Sequence, residues 1–297
     1  MKLATFTIDG TTRIGVVVDD MVIDLSQAAP DLPTDMVALL SSGPEAMAAA
    51  ARAAERCTPD IPLESVHLEP PVLRPRKYLG VGGNYFLRHP LPDMTEDAFK
   101  TRQTTQSEKH ARKHQAWFNK QVTCLNGPFD ACRVPEGTTR LLPECELGFV
   151  VGTRCHRVKR DDAASVIAGY LICNDFTMMD WVFPSCPSPT LAKSFDTLGP
   201  IGPWIVTRDE IPDPHSLRTR TVVNGEEWQT GNTADMILNC FDLVAQASQV
   251  FTLEPGDIIT TGMSLVPFRY VKDGDIVRCE VEGIGYIENR ITIDKLD

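Results

Sequence analysis

The chain has 297 residues, 29 Lys and Arg against 40 Asp and Glu, a formal net charge of −11 and 42% hydrophobic residues. That length supports a sizeable core in one large or two smaller domains. The acidic balance argues against nucleic acid as a partner, since affinity for a phosphate backbone rests on Lys and Arg. No window approaches the ~18 apolar residues that suggest a membrane span.

The first 25 residues read as three short strands, LATFTI, RIGVVV and MVIDL, separated by turns at Asp9-Gly10 and Asp19-Asp20. A helical stretch follows. Thr34 or Asp35 can cap one short helix, and SSGPEAMAAAARAAERC places Ser42 before Pro44 and an Ala-rich body. A connector rich in proline (Pro59, Pro62, Pro70, Pro71, Pro75) marks an expected boundary. A small N-terminal α/β unit, 1–70, is thus expected before a larger unit, 71–297. The opening MKLATFTIDG turns polar too early for a signal peptide. The nine cysteines form no CxxC pair and are odd in number, which suits reduced packing thiols and a cytoplasmic location.

KYLGVGGNY reads as a strand entering a glycine turn. It is not a dinucleotide loop, because Pro90 stops any helix from opening there. Residues 94–117 are polar, helix-favouring and poor in apolar anchors, so the segment 86–116 is expected to be a lid that orders when substrate binds. His110 and His114 are spaced as on one helix face, but Lys109, Arg112 and Lys113 make that face a solvated basic one. Beyond residue 122 strands dominate. Asn224-Gly225 signals a hairpin, and NTADMILNCFDLVAQASQV reads as a helix capped near Asn232 or Thr233. The expected fold class is mainly β with a few helices (α+β).

LLPECELGFVVG, 141–152, places Glu144 and Glu146 in an otherwise apolar strand. Residues i and i+2 share a face of a strand, and two buried like charges need a positive compensator. A divalent cation is the natural one. AGYLICND ends a second apolar strand at Asp175, the best third carboxylate. The alternative from spacing alone is an exposed strand face and a turn aspartate.

Eight blocks in order then carry a resemblance: GGNY, WFNK, ECELGFVVG, AGYLICND, KSFDTLGPIGPWIVTRDEI, VNGEEWQTGNTADMI, LEPGDIITTG and GDIVRCEVEGIGYIENRI. Together they resemble the fumarylacetoacetate hydrolase family, most densely from residue 76 onward. The resemblance implies a catalytic domain of the mixed β-sandwich roll type and a homodimer. It also implies Mg²⁺ (or Mn²⁺) held by Glu144, Glu146 and Asp175, with Lys193 as an active-site lysine. Members act on small dicarbonyl or 2-oxo acid substrates through an enolate. The implied reaction is hydrolysis of a C–C bond in a 1,3-dicarbonyl. Decarboxylase, tautomerase or isomerase action on a 2-oxo acid is the alternative, and a weakened binding protein a third reading.

Several positions depart from the family pattern. N-Y-x-x-H-x-x-E here reads NYFLRHPLPD, so Arg88 stands at the histidine position and His89 follows one residue late. His89 is the candidate base, with Asp93 and Glu96 the nearest carboxylates after it; the alternative is a surface loop residue. Tyr85 and Arg88 of this run are candidate substrate contacts. Met179, Val182 and Met263 stand where relatives place polar groups that grip an acid, so an apolar substrate end is expected there. Arg88 could instead supply the missing charge.

Overall fold

The computed structural model describes residues 1–92, 94–182, 189–264 and 267–294, with Arg112 described for its backbone only. Asp93 therefore lies outside the described residues. Local turn chemistry sets the strand pairings. Asp9 and Gly10 both take positive φ, 49° and 71°, and join Lys2–Ile8 to Thr11–Val18 in an antiparallel pair. Asn224 and Gly225 do the same, at 51° and 83°, for Arg218–Val223 and Glu226–Asn232. Both central residues of such a turn need positive φ, which Asn, Asp and Gly tolerate best.

The larger sheet has 12 strands. Its main path runs Ile61–Pro62, Met21–Asp24, Thr11–Val18, Lys2–Ile8, Gly199–Thr207, Ile167–Asn174, Cys145–Val151, Ile258–Thr260, Tyr78–Gly82, Ala116–Lys120. The N-terminal strands extend this sheet, because Lys2 and Leu3 pair with Val206 and Ile205. The sheet is therefore continuous across the boundary expected near residue 70. Its core is continuous too: Leu3, Val16, Leu39 and Leu40 pack in one cluster with Val150, Leu171 and Ile201.

A second sheet of five strands runs Glu226–Asn232, Arg218–Val223, Ile276–Val281, Gly285–Asp294, Cys132–Pro135. Leu147 and Phe149 of the large sheet share a core with Cys279 and Ile287 of this one, and with Leu243, Val244 and Ala247 of the helix Cys240–Val250. The sequence predicts that helix from about residue 232, but it begins later. Asn239 and Asp242 form a reciprocal capping box, the Asn239 side chain accepting from Phe241 and Asp242 amides at 3.1 and 3.0 Å. The preceding Ile237 amide donates instead to the Asn84 carbonyl at 2.6 Å.

The lid segment contains a 17-residue helix, Glu96–Arg112, capped by Thr95. No apolar stripe docks it. Gln106, 1% exposed, does so with its amide: Nε2 donates to the Tyr85 carbonyl at 2.7 Å, and Oε1 accepts from the Leu87 amide at 3.0 Å. Gln115 donates to Asn84 Oδ1 at 2.8 Å. Lys109 adds a longer bond to the Gly83 carbonyl at 3.5 Å, so three side chains tie this segment to the run that carries Tyr85.

Gln106→Ala removes both bonds and leaves two backbone groups without partners, a local cost of roughly 1–3 kcal/mol each. The expected outcome is several-fold faster limited proteolysis within 86–116 at little change in the global melting temperature. Unchanged cleavage would show that Gln106 does not hold the lid.

Candidate metal and active site

Strand register brings the carboxylates together. Cys145–Val151 pairs antiparallel with Ile167–Asn174, so that Cys145 faces Asn174 and Glu146 faces Cys173. One step further, the Asp175 amide donates to the Glu144 carbonyl at 2.9 Å. Glu144 and Glu146 point to one face by alternation, and Asp175, opposite Glu144, points to the same one. The candidate ligand oxygens of the three residues lie within 4.8 Å of one another. Gly148 continues this face. A Cβ there would lie 2.5 Å from Cys173 Sγ, so only glycine leaves the layer beneath the carboxylates unstrained.

Each carboxylate is held differently. Asp175, fully buried, receives Lys193 Nζ on Oδ2 at 2.7 Å and Lys120 Nζ on Oδ1 at 2.5 Å. Burial pushes its pKa up, but the two ammonium groups outweigh burial and hold it below the usual carboxylate range. Glu144 receives Lys193 at 3.1 Å on Oε1, where the Thr177 hydroxyl also donates. Burial and the neighbouring Asp175 push Glu144 up against the pull of Lys193, with a net rise. Glu146, 2% exposed, accepts from the Gly262 amide at 2.9 Å. Among the described residues it has no ion-pair partner, and burial followed by its two acidic neighbours pushes its pKa far up.

This donor set fits a divalent cation. Hard oxygen ligands in a small cluster are what Mg²⁺ and Mn²⁺ take, and Glu146 is a buried carboxylate lacking the positive partner that its neighbours have. Three carboxylates against two ammonium groups leave one negative charge, which a divalent cation would reverse.

Lys193 is 8% exposed and follows the short helix Pro189–Ala192. Its Nζ sits 5.2 Å from the centroid of Phe118, a cation–π distance. Phe118 itself needs Gly80 opposite it, where a Cβ would lie 2.3 Å from the ring. Burial lowers the Lys193 pKa, but Asp175, Glu144 and Glu146 raise it more, so the group is an ammonium at neutral pH.

The other residues singled out from sequence are placed less centrally. Tyr85 is buried, with its hydroxyl 3.4 Å from Thr261 Oγ1. Arg88 is exposed, 2.7 Å from Asp235 and stacked on Phe86 at 5.4 Å. His89 is exposed beside Pro90. Met179 and Val182 are half-buried at the turn Met179–Trp181, where Arg140 bonds the Met179 carbonyl at 2.8 Å and Asp180 at 3.1 Å. Met263 is half-buried and borders a small cavity shared with Cys145 and Gln229. Lys120 was not singled out from sequence. Its signal is the alternation in AWFNK, where Phe118 and Lys120 are buried and Asn119 is exposed.

A β-rich fold with a largely buried carboxylate triad and an ammonium group beside it is the arrangement of a protein suited to a divalent cation. The family profile for the fumarylacetoacetate (FAA) hydrolase C-terminal region matches residues 79–292. The chain belongs to the fumarylacetoacetate hydrolase family. It is 34% identical over 276 residues to the mitochondrial oxaloacetate tautomerase of Rattus norvegicus, covering 91% of this chain and 83% of the relative. Among solved structures, maleylpyruvate hydrolase from Sphingobium sp. SYK-6 superposes with a TM-score of 0.80 at 30% identity, over 99% of this chain and 100% of that one. The same hydrolase in complex with manganese(II) and pyruvate gives 0.80 at 29%, with the same coverage. A 5-carboxymethyl-2-hydroxymuconate delta-isomerase from Mycobacterium smegmatis gives 0.75 at 27%, again over 99% and 100%.

Glu146→Gln removes a buried carboxylate that has no ion-pair partner in the metal-free chain. The metal-free variant is expected to melt higher than the metal-free wild type, while the rise in melting temperature on adding Mn²⁺ shrinks or vanishes. Differential scanning fluorimetry with chelator and with Mn²⁺ reads both. An unchanged Mn²⁺ shift in the variant would remove Glu146 from the ligand set.

Proposed function

We propose that this protein is a divalent-metal enzyme that moves a proton between the keto and enol forms of a small 2-oxo acid or 1,3-dicarbonyl. One observation carries the reading: Lys193 Nζ is buried beside the carboxylate triad, within 2.7 Å of Asp175 and 3.1 Å of Glu144. A bound divalent cation would supply Lewis-acid charge to paired substrate oxygens. Lys193, held as an ammonium, donates a hydrogen bond or a proton to the oxygen on which negative charge develops. Phe118 covers its flank from water. Thr177 and the Gly262 amide fix the carboxylate planes of Glu144 and Glu146.

Enolisation breaks the α C–H bond and places a proton on the oxygen: Lys193 as an ammonium serves the oxygen, and the α-proton passes to solvent water, so no further side chain is required. Hydrolysis of a C–C bond needs, in addition, a base that activates water. The one candidate in the NYFLRHP run, His89, is exposed, and its neighbour Arg88 is engaged by Asp235. The tautomerase reading is therefore placed first, in line with the 34% identity to an oxaloacetate tautomerase. C–C hydrolysis of an acylpyruvate is the second reading. It is favoured by the likeness, over nearly the whole chain, to a maleylpyruvate hydrolase.

Arg88, the candidate stand-in, and Arg140, which bonds the Met179 carbonyl, are both occupied, by Asp235 and by Asp180. This supports a substrate whose end near Met179 and Val182 is apolar, since a carboxylate left unpaired there costs several kcal/mol.

Proton NMR of oxaloacetate and of acetylpyruvate with Mn²⁺-loaded protein separates the readings. Accelerated keto–enol exchange with no cleavage products is the expected result; pyruvate released from an acylpyruvate would establish the hydrolase instead. Lys193→Met should lower the rate by ~10²–10⁴-fold, the scale of lost proton-transfer or oxyanion catalysis. His89→Ala should leave enolisation within about 3-fold of wild type, against the ~10²-fold loss expected of a general base. A loss of that size would return His89 to the catalytic set. For the substrate end, kcat/KM is expected to be higher for an uncharged 1,3-diketone than for acetylpyruvate, and Met179→Arg should reverse that order. A wide preference of the wild type for acetylpyruvate, lost in Arg88→Ala, would show Arg88 to be the carboxylate anchor.

A further inference from the structure

We infer that Lys120 is a positioning residue for the metal site: it claims one oxygen of Asp175 and thereby presents only the other to the cluster. This rests on the reading that Glu144, Glu146 and Asp175 hold a divalent cation. Lys120 ends the strand Ala116–Lys120 and is fully buried, so substrate has no direct access to it. Its ammonium lies 2.5 Å from Asp175 Oδ1 and 3.4 Å from the Leu198 carbonyl, with the Tyr78 ring centroid 5.5 Å away. Among the described residues Asp175 is its sole ion-pair partner.

The two lysines on Asp175 stand in different places. Lys193 binds Oδ2 and also touches Glu144. Lys120 binds Oδ1 and touches neither glutamate. A carboxylate with both oxygens free can turn about its terminal bond and can grip a cation with one oxygen or with two. A buried ammonium fixed on one oxygen stops that rotation and leaves a one-oxygen ligand at a set angle. Partners that orient a ligand in this way typically account for 10–100-fold in metal affinity. The position needs a strand residue pointing inward, a long stem and a donor at its tip. Burial of an ammonium is tolerated only with such an anion opposite it.

The test compares Lys120→Met with Lys120→Gln, which keeps an N–H donor but no charge. Mn²⁺ affinity is read by isothermal titration calorimetry, and the coordination sphere by the electron paramagnetic resonance spectrum of bound Mn²⁺; thermal melts check folding. Lys120→Met is expected to bind Mn²⁺ 10–100-fold more weakly, with an altered spectrum, and Lys120→Gln to recover part of both. Lys120→Met with wild-type or tighter Mn²⁺ affinity and an unchanged spectrum would overturn the inference, leaving Lys120 as a counter-charge only. Failure of both variants to fold would overturn it as well, assigning Lys120 to stability. A wild type that takes up no Mn²⁺ would remove the metal reading itself, and this inference with it. Loss of the Lys120 effect in a wild type that binds Mn²⁺ removes the inference alone.

Discussion

Three carboxylates gathered on one face of a single pair of strands, Glu146 and Asp175 buried and Glu144 half-buried, are the constraint around which the rest of this structure is arranged. Left alone they would repel and unfold the ladder that carries them, because each buried charge needs a compensating partner. The chain supplies two ammonium groups, both directed to Asp175 and one reaching Glu144. It leaves Glu146 with a backbone amide. This uneven compensation gives the site its chemistry. The protein balances the charge of the cluster to within one unit, and a divalent cation changes its sign to one that attracts anionic oxygens.

The surrounding fold keeps that cluster dry and in register. Antiparallel pairing of Cys145–Val151 with Ile167–Asn174, carried one residue past the strand ends, sets Glu144 opposite Asp175. On the other face of the same strand Leu147 and Phe149 anchor the second sheet and the helix Cys240–Val250. The strand therefore carries the candidate metal ligands on one side and the main core on the other. Gly148 and Gly80 serve the site by lacking a side chain: one admits Cys173 beneath the carboxylates, the other admits Phe118 beside Lys193.

The legible part of the sequence was the part governed by local rules. The i, i+2 spacing of Glu144 and Glu146 gave a shared face, and the strand-ending Asp175 gave the third carboxylate of the cluster. Turn residues at Asp9-Gly10 and Asn224-Gly225 fixed two hairpins. What local rules do not carry was missed or misplaced. The helix expected from residue 232 starts at Asn239 because Asn84, 155 residues earlier, takes the Ile237 amide. The N-terminal strands extend a sheet whose next member lies near residue 205, a pairing that no local signal carries. Lys120 drew no reading from sequence, and nothing in AWFNK announces that Asp175 will lie against it. Long-range pairing decides each of these, and a single sequence does not show it.

The segment 86–116 is tied down unevenly. Gln106 and Gln115 grip residues 84–87 and Arg88 pairs with Asp235, while the outer face of the helix, with Glu96 and Lys100 as an exposed pair, meets solvent. The Gln106 and Gln115 bonds act on backbone groups and on Asn84, which in turn holds Leu238 and Thr261. A descendant could therefore recolour the outer face of this helix through many mutations and keep the carboxylate cluster unchanged. The solvent-facing half of the helix is the part of this segment that evolution is free to exchange.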